Sequence, residues 1–189
     1  FPATSARELI AALKASPGKY SYASPGIGTL QHLAFELFKR SAGVDAVHVP
    51  YKGASAMLPD LISGQVEVGA ISATVAIAQA RAGKIRVIAV TSARRLPTAS
   101  DVPALAETLP GFDASPNVFL VAPAGTPAAV VARLAEAVAG VLAEKDVQDS
   151  FAKQGATATP IRPDELGRAI AAESARWAGV VRDAGIKAE

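Results

Sequence analysis

The chain has 189 residues, half of them hydrophobic, which is enough to bury a sizeable core in one large or two small domains. Nineteen Lys and Arg against seventeen Asp and Glu give a formal charge of +2 spread along the sequence, so there is no basic run to suit a nucleic acid. The absence of cysteine removes disulfides, thiolate nucleophiles and cysteine zinc sites, and the only two histidines, His32 and His48, lack a metal-ligand spacing.

Aromatics are scarce at 5%, while alanine, valine and glycine are plentiful, which favours small aliphatic cores between helices and a sheet. No window reaches the ~18 apolar residues of a membrane span. The chain opens at Phe1 directly before a helix start, without an initiator methionine or a basic leader, so its beginning reads as a cut made in a longer protein.

In chain order, "TSARELIAALKASPGK" is expected to be a helix with Thr4 or Ser5 as N-cap, Glu8 in the first turn and an end before Pro17. "KYSYAS" reads as a short strand and Leu30 to Ala42 as a helix stopping near Gly43. "DAVHVPYKG" is a strand running into a loop, followed by a short helix "ASAMLPDLISG" interrupted or restarted at Pro59. "QVEVGAIS" is the next strand, "ATVAIAQARAGK" a helix closed by Gly83, and "IRVIAVTS" a buried, β-branched strand. This alternation predicts a mainly parallel sheet with right-handed crossovers.

The texture then changes. "ARRLPTASDVPALAETLPGFDASP" holds four prolines and reads as a surface passage. "NVFLVAPAGTP" is expected to be one more strand, leading into a helix over residues 128–142 with Thr126 as N-cap and Pro127 as its first residue. "DVQDSFAKQG" is a shorter helix capped by Gly155, and Pro163 and Asp164 start the last one, with Leu166, Ile170, Trp177 and Val181 on roughly one face. One strand is a poor sheet for three helices, so added strands from elsewhere are expected to pair beside Val118 to Ala122.

The stretch "SPGIGT" joins a strand to a helix, so free backbone N–H groups and the positive end of the helix dipole face one small volume. That is a cradle for a carboxylate or phosphate, in which Gly26 and Gly28 can take positive φ and Ser24 and Thr29 offer hydroxyls. The same glycines would also serve a plain βα turn, with Thr29 only capping the helix. A dinucleotide fingerprint fits worse, because the third glycine is replaced by Gln31 or His32, and neither a GK[ST] phosphate loop nor a G-x-S-x-G elbow is present. No catalytic machinery and no cofactor site stand out.

Tyr51 and Lys52 follow a strand at the carboxyl edge of the sheet, where ligands of open α/β folds bind, and Tyr51 is the better candidate. Ser72 and Thr74 lie at the same edge, either donating hydroxyls to a ligand or serving as a helix cap. His48, inside an apolar strand, reads as a satisfied core histidine; His32, on the first turn of the glycine-loop helix, is placed to reach the site, with packing as the preferred reading.

With these pieces in order, "SPGIGTLQHLAFELFKRSAGVDAVHVPYKGASAMLPDLISGQVEV", "IRVIAVTSARRLPTASDVPALAETLPGF", "VAPAGTPAAVVARL" and "ESARWAGVVRDAGIK" resemble the Bug or TctC-type substrate-binding proteins of tripartite tricarboxylate transporters. The resemblance implies a periplasmic, two-lobed receptor of the type II periplasmic-binding-protein fold, α/β with a mainly parallel sheet flanked by helices, here with one lobe incomplete. It implies capture of a small carboxylate, such as a dicarboxylate, tricarboxylate, amino acid or aromatic acid, without catalysis, and delivery to membrane subunits of the transporter. The loop it assigns to the carboxylate matches Ser24, Gly26, Ile27, Gly28 and Thr29.

By the same comparison, roughly a hundred further N-terminal residues belong to a full receptor, in line with domain sizes. Residues 1–114 then correspond to the second lobe and 115–189 to the C-terminal part of the first. Asn117 stands where many relatives place an aromatic residue. Such a fragment is expected to bind weakly, and to self-associate or retain an N-terminal piece that covers its exposed strand edge.

Two other function classes compete with this one. The effector-binding domain of a transcription regulator shares the two-lobed architecture and would follow a helix-turn-helix segment. A small α/β hydrolase would need Ser24 as nucleophile.

Overall fold

The computed structural model describes residues 1–153 and 156–187. Two compact units make up the chain, one formed by Phe1–Pro116 with Gly179–Glu189 and the other by Asn117–Ala178.

The first unit opens with α1 (Ala6–Ala15), started by Ser5, whose hydroxyl accepts the Glu8 N–H at 3.3 Å. Glu8 reaches back to accept from the Thr4 backbone and hydroxyl at 2.6 and 2.7 Å, and these bonds lower its carboxyl pKa. Ala6, Leu9 and Leu13 form the buried stripe. Then come β1 (Ser21–Ser24), α2 (Leu30–Ala42), β2 (Val47–Pro50), α3 (Ala54–Ser63), β3 (Val68–Gly69) and α4 (Ala73–Arg81), in the expected alternation. Gly43, at φ 61°, closes α2 in the left-handed conformation that a residue with a Cβ adopts only at a cost.

The three strands are parallel in the order β2-β1-β3, with Ser21 opposite Val47, Ser24 opposite Pro50 and Ala23 opposite Gly69. Central β1 buries Tyr22, Ala23 and Ser24 completely. Helix α3 lies on it through a cluster of Ala23, Met57 and Val66, joined by Val49, Tyr51, Leu61 and Ile71. This packing explains why α3 runs through Pro59 instead of restarting there. The proline forfeits one helical hydrogen bond, while Met57 and Leu61, on either side of it, are fixed against the sheet.

Residues 85–92 do not form the expected strand. Val90 makes a single bridge with Ala104, its N–H donating to the Pro103 carbonyl at 2.9 Å and its own carbonyl accepting from Leu105 at 2.9 Å. The partner is therefore the proline-rich connection. That connection also departs from a mere surface passage, because it buries Ala99, Ala104, Leu105, Phe112 and Ala114 and forms short 3-10 turns at Pro97–Ala99 and Leu105–Glu107. Its prolines forbid a ladder, yet the apolar residues between them fold back onto Val90. Glu107 pins the second turn, accepting from the Ala104 N–H at 2.9 Å and pairing with Arg95 at 2.7 Å, and its pKa falls to about 2, chiefly through the Arg95 bond.

In the second unit, residues 117–127 form no strand, and Val118 is 96% exposed. β-branched residues favour an extended backbone, but a strand needs a neighbour, and none pairs here among the described residues. Helix α5 (Ala128–Ala143) begins after Pro127, whose extended ψ of 138° makes it the N-cap. The first helical carbonyl is that of Pro127, which accepts from Val130 and Val131 at 2.9 and 3.1 Å, so the cap falls one residue after Thr126, whose hydroxyl donates to the Pro123 carbonyl at 2.8 Å. Helix α6 spans Lys145–Lys153, and its expected cap, Gly155, lies outside the described residues. Helix α7 (Pro163–Asp183) closes the chain, and its last turn belongs to the first unit, where Val180 is buried and Asp183 pairs with Arg40 at 2.6 Å.

A Cβ added at Gly69 would lie 2.9 Å from Leu61 Cδ2 and 3.1 Å from Met57 Cε. Gly69→Val is therefore expected to cost ~1–3 kcal/mol of stability, read as a lower urea midpoint. An unchanged midpoint would mean that α3 does not press on β3 as described.

Candidate functional site

Parallel pairing sets the three strand ends side by side. Tyr51 N–H donates to the Ser24 carbonyl at 3.0 Å, Ala70 N–H to Ala23 at 2.9 Å and Gly53 N–H to Pro25 at 2.9 Å. Loops 25–29, 51–53 and 70–72 thus share the carboxyl edge of the sheet, and each opens a helix whose dipole is positive at that edge. This edge holds every candidate residue read from the sequence.

Within the glycine loop, most polar groups hold the loop itself. Ser24 is fully buried, with its Oγ 2.7 Å from His48 Nε2, 3.2 Å from the Gly26 carbonyl and 3.3 Å from the Gly26 N–H. Thr29 donates its hydroxyl to the Gly26 carbonyl at 2.8 Å and accepts the His32 N–H at 3.4 Å, as the cap of α2. Gly28 N–H donates to His32 Nδ1 at 3.1 Å. Gly26 and Gly28 sit at φ 154° and 74°, and a Cβ on Gly26 would lie 3.4 Å from the Tyr51 carbonyl oxygen.

What remains open is backbone. The N–H groups of Ile27, Leu30 and Gln31 have no acceptor among the described residues. Three amides at the head of a helix present positive partial charge without a cation, which suits a carboxylate. Ile27, 39% exposed, holds its side chain outward at this loop.

The flanking loops differ from each other. Tyr51 is half-buried against the α3 cluster and donates its phenol to Asp60 Oδ2 at 2.7 Å, a bond that raises the phenol pKa, so it offers the edge a ring more than a hydroxyl. Lys52 is exposed. Ser72 is the N-cap of α4 but makes no side-chain cap bond, and both it and Thr74 are exposed, with no hydrogen bond to either hydroxyl among the described residues. Their hydroxyls are the free ones at this edge, whereas those of Ser24 and Thr29 are engaged within the loop.

Packing is the preferred sequence reading of both histidines, with His32 also in reach of the site, and the structure gives the pair a larger part. Their rings stack at 3.9 Å with 10° between planes, and Tyr22 stacks on His48 at 4.8 Å and on Phe35 at 3.8 Å. Burial lowers both imidazole pKa values, His48 to about 4 with His32 as the second cause. Burial and then the Glu36 carboxylate, which accepts from the Tyr22 phenol at 2.6 Å, push that phenol up. The sequence signal for His32 is its place on the first turn of the helix that follows the glycine loop. No cluster of His, Cys, Asp or Glu placed to hold a metal occurs among the described residues, and no described helix is long and apolar enough to cross a membrane.

Comparison with known proteins fits this geometry into a family. Residues 1–186 match the family model described as tripartite tricarboxylate transporter family receptor. The chain belongs to this receptor family. Among curated relatives, the receptor chain is 37% identical over 180 residues to Protein BugT of Bordetella pertussis, covering 95% of this chain and 55% of the relative. It is 36% identical over 172 residues to a UPF0065 protein from the tcbD-tcbE intergenic region of a Pseudomonas species, covering 90% and 51%.

Among solved structures, an R. palustris protein with adipate superposes with a TM-score of 0.80 at 36% identity, covering 98% of this chain and 62% of that one. The periplasmic binding protein BugD matches with a TM-score of 0.72 at 30% identity, over 100% and 64%. MatC from Rhodopseudomonas palustris, with bound malate, matches with a TM-score of 0.68 at 28% identity, over 95% and 63%. The receptor chain therefore spans about half the length of the curated relatives it matches. The α/β, periplasmic-binding-protein fold expected from the sequence is the fold of these neighbours.

Because His48 is held neutral, its stabilising contribution is complete above the ordinary histidine value of ~6.5 and is lost as pH falls toward about 4. The urea midpoint is expected to drop across that window, and His48→Asn is expected to flatten the drop. An equally steep loss in the variant would assign the acid sensitivity to other groups.

Proposed function

We propose that this receptor chain captures a small carboxylate outside the cytoplasm and passes it to the membrane subunits of a tripartite transporter without altering it. The observation that carries this reading is the set of open amides on Ile27, Leu30 and Gln31 at the head of α2. Ser72 and Thr74 at the head of α4, with the Tyr51 ring after β2, would complete the lining on this side. In this reading residues 1–114 act as the second lobe and 115–189 as the returning part of the first. Dicarboxylates are the favoured class, since two solved neighbours carry adipate and malate.

Binding is favoured over catalysis by the state of Ser24. Its Oγ lies 2.7 Å from His48 Nε2, which resembles a nucleophile and its base, but the serine is fully buried. No carboxylate bonds His48 among the described residues, so the third member that fixes the tautomer of a general-base histidine is not provided.

Leu30→Pro offers a clean test. Proline is tolerated at the first helical position, and Thr29, at φ −67° and ψ 156°, already has the backbone a residue before proline requires. The change removes the Leu30 N–H with little cost to the fold. A charge-assisted hydrogen bond is worth ~1.5–3 kcal/mol, so calorimetry on the full-length receptor is expected to show adipate or malate binding weakened roughly tenfold or more. Equal affinity in the variant, or no binding of any carboxylate by the wild type, would sink the reading.

A further inference from the structure

We infer that His32, braced by its stack on His48, is a positioning residue for the ligand loop, and that protonation of its Nδ1 releases the loop and weakens carboxylate binding. The inference rests on the solute-binding reading above.

The hydrogen-bond roles at His32 are fixed by chemistry. Gly28 N–H is a donor only, so Nδ1 must accept it, and the ring's proton sits on Nε2. The loop is then held at two points. His32 ties down Gly28 just ahead of the helix, and His48 holds Ser24 just after the strand. Between those anchors lies Ile27, and directly beyond them lie Leu30 and Gln31, whose amides are open. The two rings lie face to face with 3.9 Å between centroids, so displacing either one disturbs the packing of the other and with it both anchors of the loop.

A proton on Nδ1 turns an acceptor into a donor and sets it against the Gly28 N–H. The Gly28 amide must then turn away, which breaks the bond tying Gly28, at φ 74°, to the first turn of α2 and loosens the loop that carries the open Ile27, Leu30 and Gln31 amides. His48 does not work the same way, since its Nε2 can donate to or accept from Ser24 Oγ and a protonated ring keeps that bond.

The groups around the pair set the sign. From α2, Glu36 favours the protonated rings and Lys39, 3.0 Å from Glu36, opposes it; Asp45, before β2, sits 3.5 Å from Lys39. From β1, the Tyr22 phenol is neutral and spends its proton on Glu36. Burial outweighs these charges and a charge on His32 opposes one on His48, so the loop is intact at neutral pH and is lost on the acid side.

The test uses the full-length receptor with adipate as probe and needs two readouts. In the protein without ligand, the Gly28 amide resonance is expected to titrate with the same midpoint as the His32 ring between pH about 7.5 and about 4.5. In calorimetry, the affinity of the wild type relative to His32→Asn is expected to fall about fivefold or more across that range. Asparagine offers a carbonyl in place of Nδ1 that does not titrate, and the ratio cancels protonation of adipate itself.

A Gly28 amide indifferent to the His32 titration, or parallel affinity profiles for the two proteins, overturns the inference. If neither protein binds adipate at any pH, the solute-binding reading fails, while the Gly28 resonance still decides whether His32 positions the loop.

Discussion

Strand β1 is bonded on both sides, to β2 and to β3, and the layout of the candidate site in the first unit follows from that. A strand so placed has no free edge, and its Tyr22, Ala23 and Ser24 are fully buried. Because both pairings are parallel, all three strands end on one side, and the helices that follow must start there. Three helix N-termini and their unpaired amides are brought to one edge by backbone geometry alone. The glycine loop is central among them because it follows the central strand.

The resulting edge is polar without being strongly charged. Lys52 is exposed on its turn, and the open donors are amides and the hydroxyls of Ser72 and Thr74. Amide donors are fixed in direction by the backbone and carry no large desolvation penalty of their own, unlike a buried lysine or arginine. A site of this kind distinguishes a carboxylate by geometry. The hydroxyls of Ser24 and Thr29 face inward, since each bonds within the loop and holds its turn.

Much of the fold could be read from residue pattern. The caps Ser5 and Thr29, the terminator Gly43 and the αβ alternation through α4 are local signals, and each is satisfied locally. The misreadings share a different cause. Residues 85–92 and 117–127 have the composition of strands, but composition reports an extended, apolar backbone and not its partner. Pro59 reads as a break, yet Met57 and Leu61 on either side of it are held against the sheet, so packing carries α3 past the missing bond. Thr126 has the right residue type for a cap, but the helix takes its first carbonyl from Pro127, one residue later.

For the candidate site, the sequence by itself determined the strand–glycine–helix order, the two glycines that permit the loop's φ values, and the residue types at the carboxyl edge. Those are properties of consecutive residues, and local sterics suffice to set them. Only the tertiary structure decided which donors stay free. Whether Ser24 faces a ligand or the interior depends on His48, which is 24 residues away and arrives by strand pairing, and whether Tyr51 offers a hydroxyl or a ring depends on Asp60 in α3. Hydrogen-bond partners are settled by which chains meet in space, and that is fixed by the sheet's register and not by spacing along the sequence.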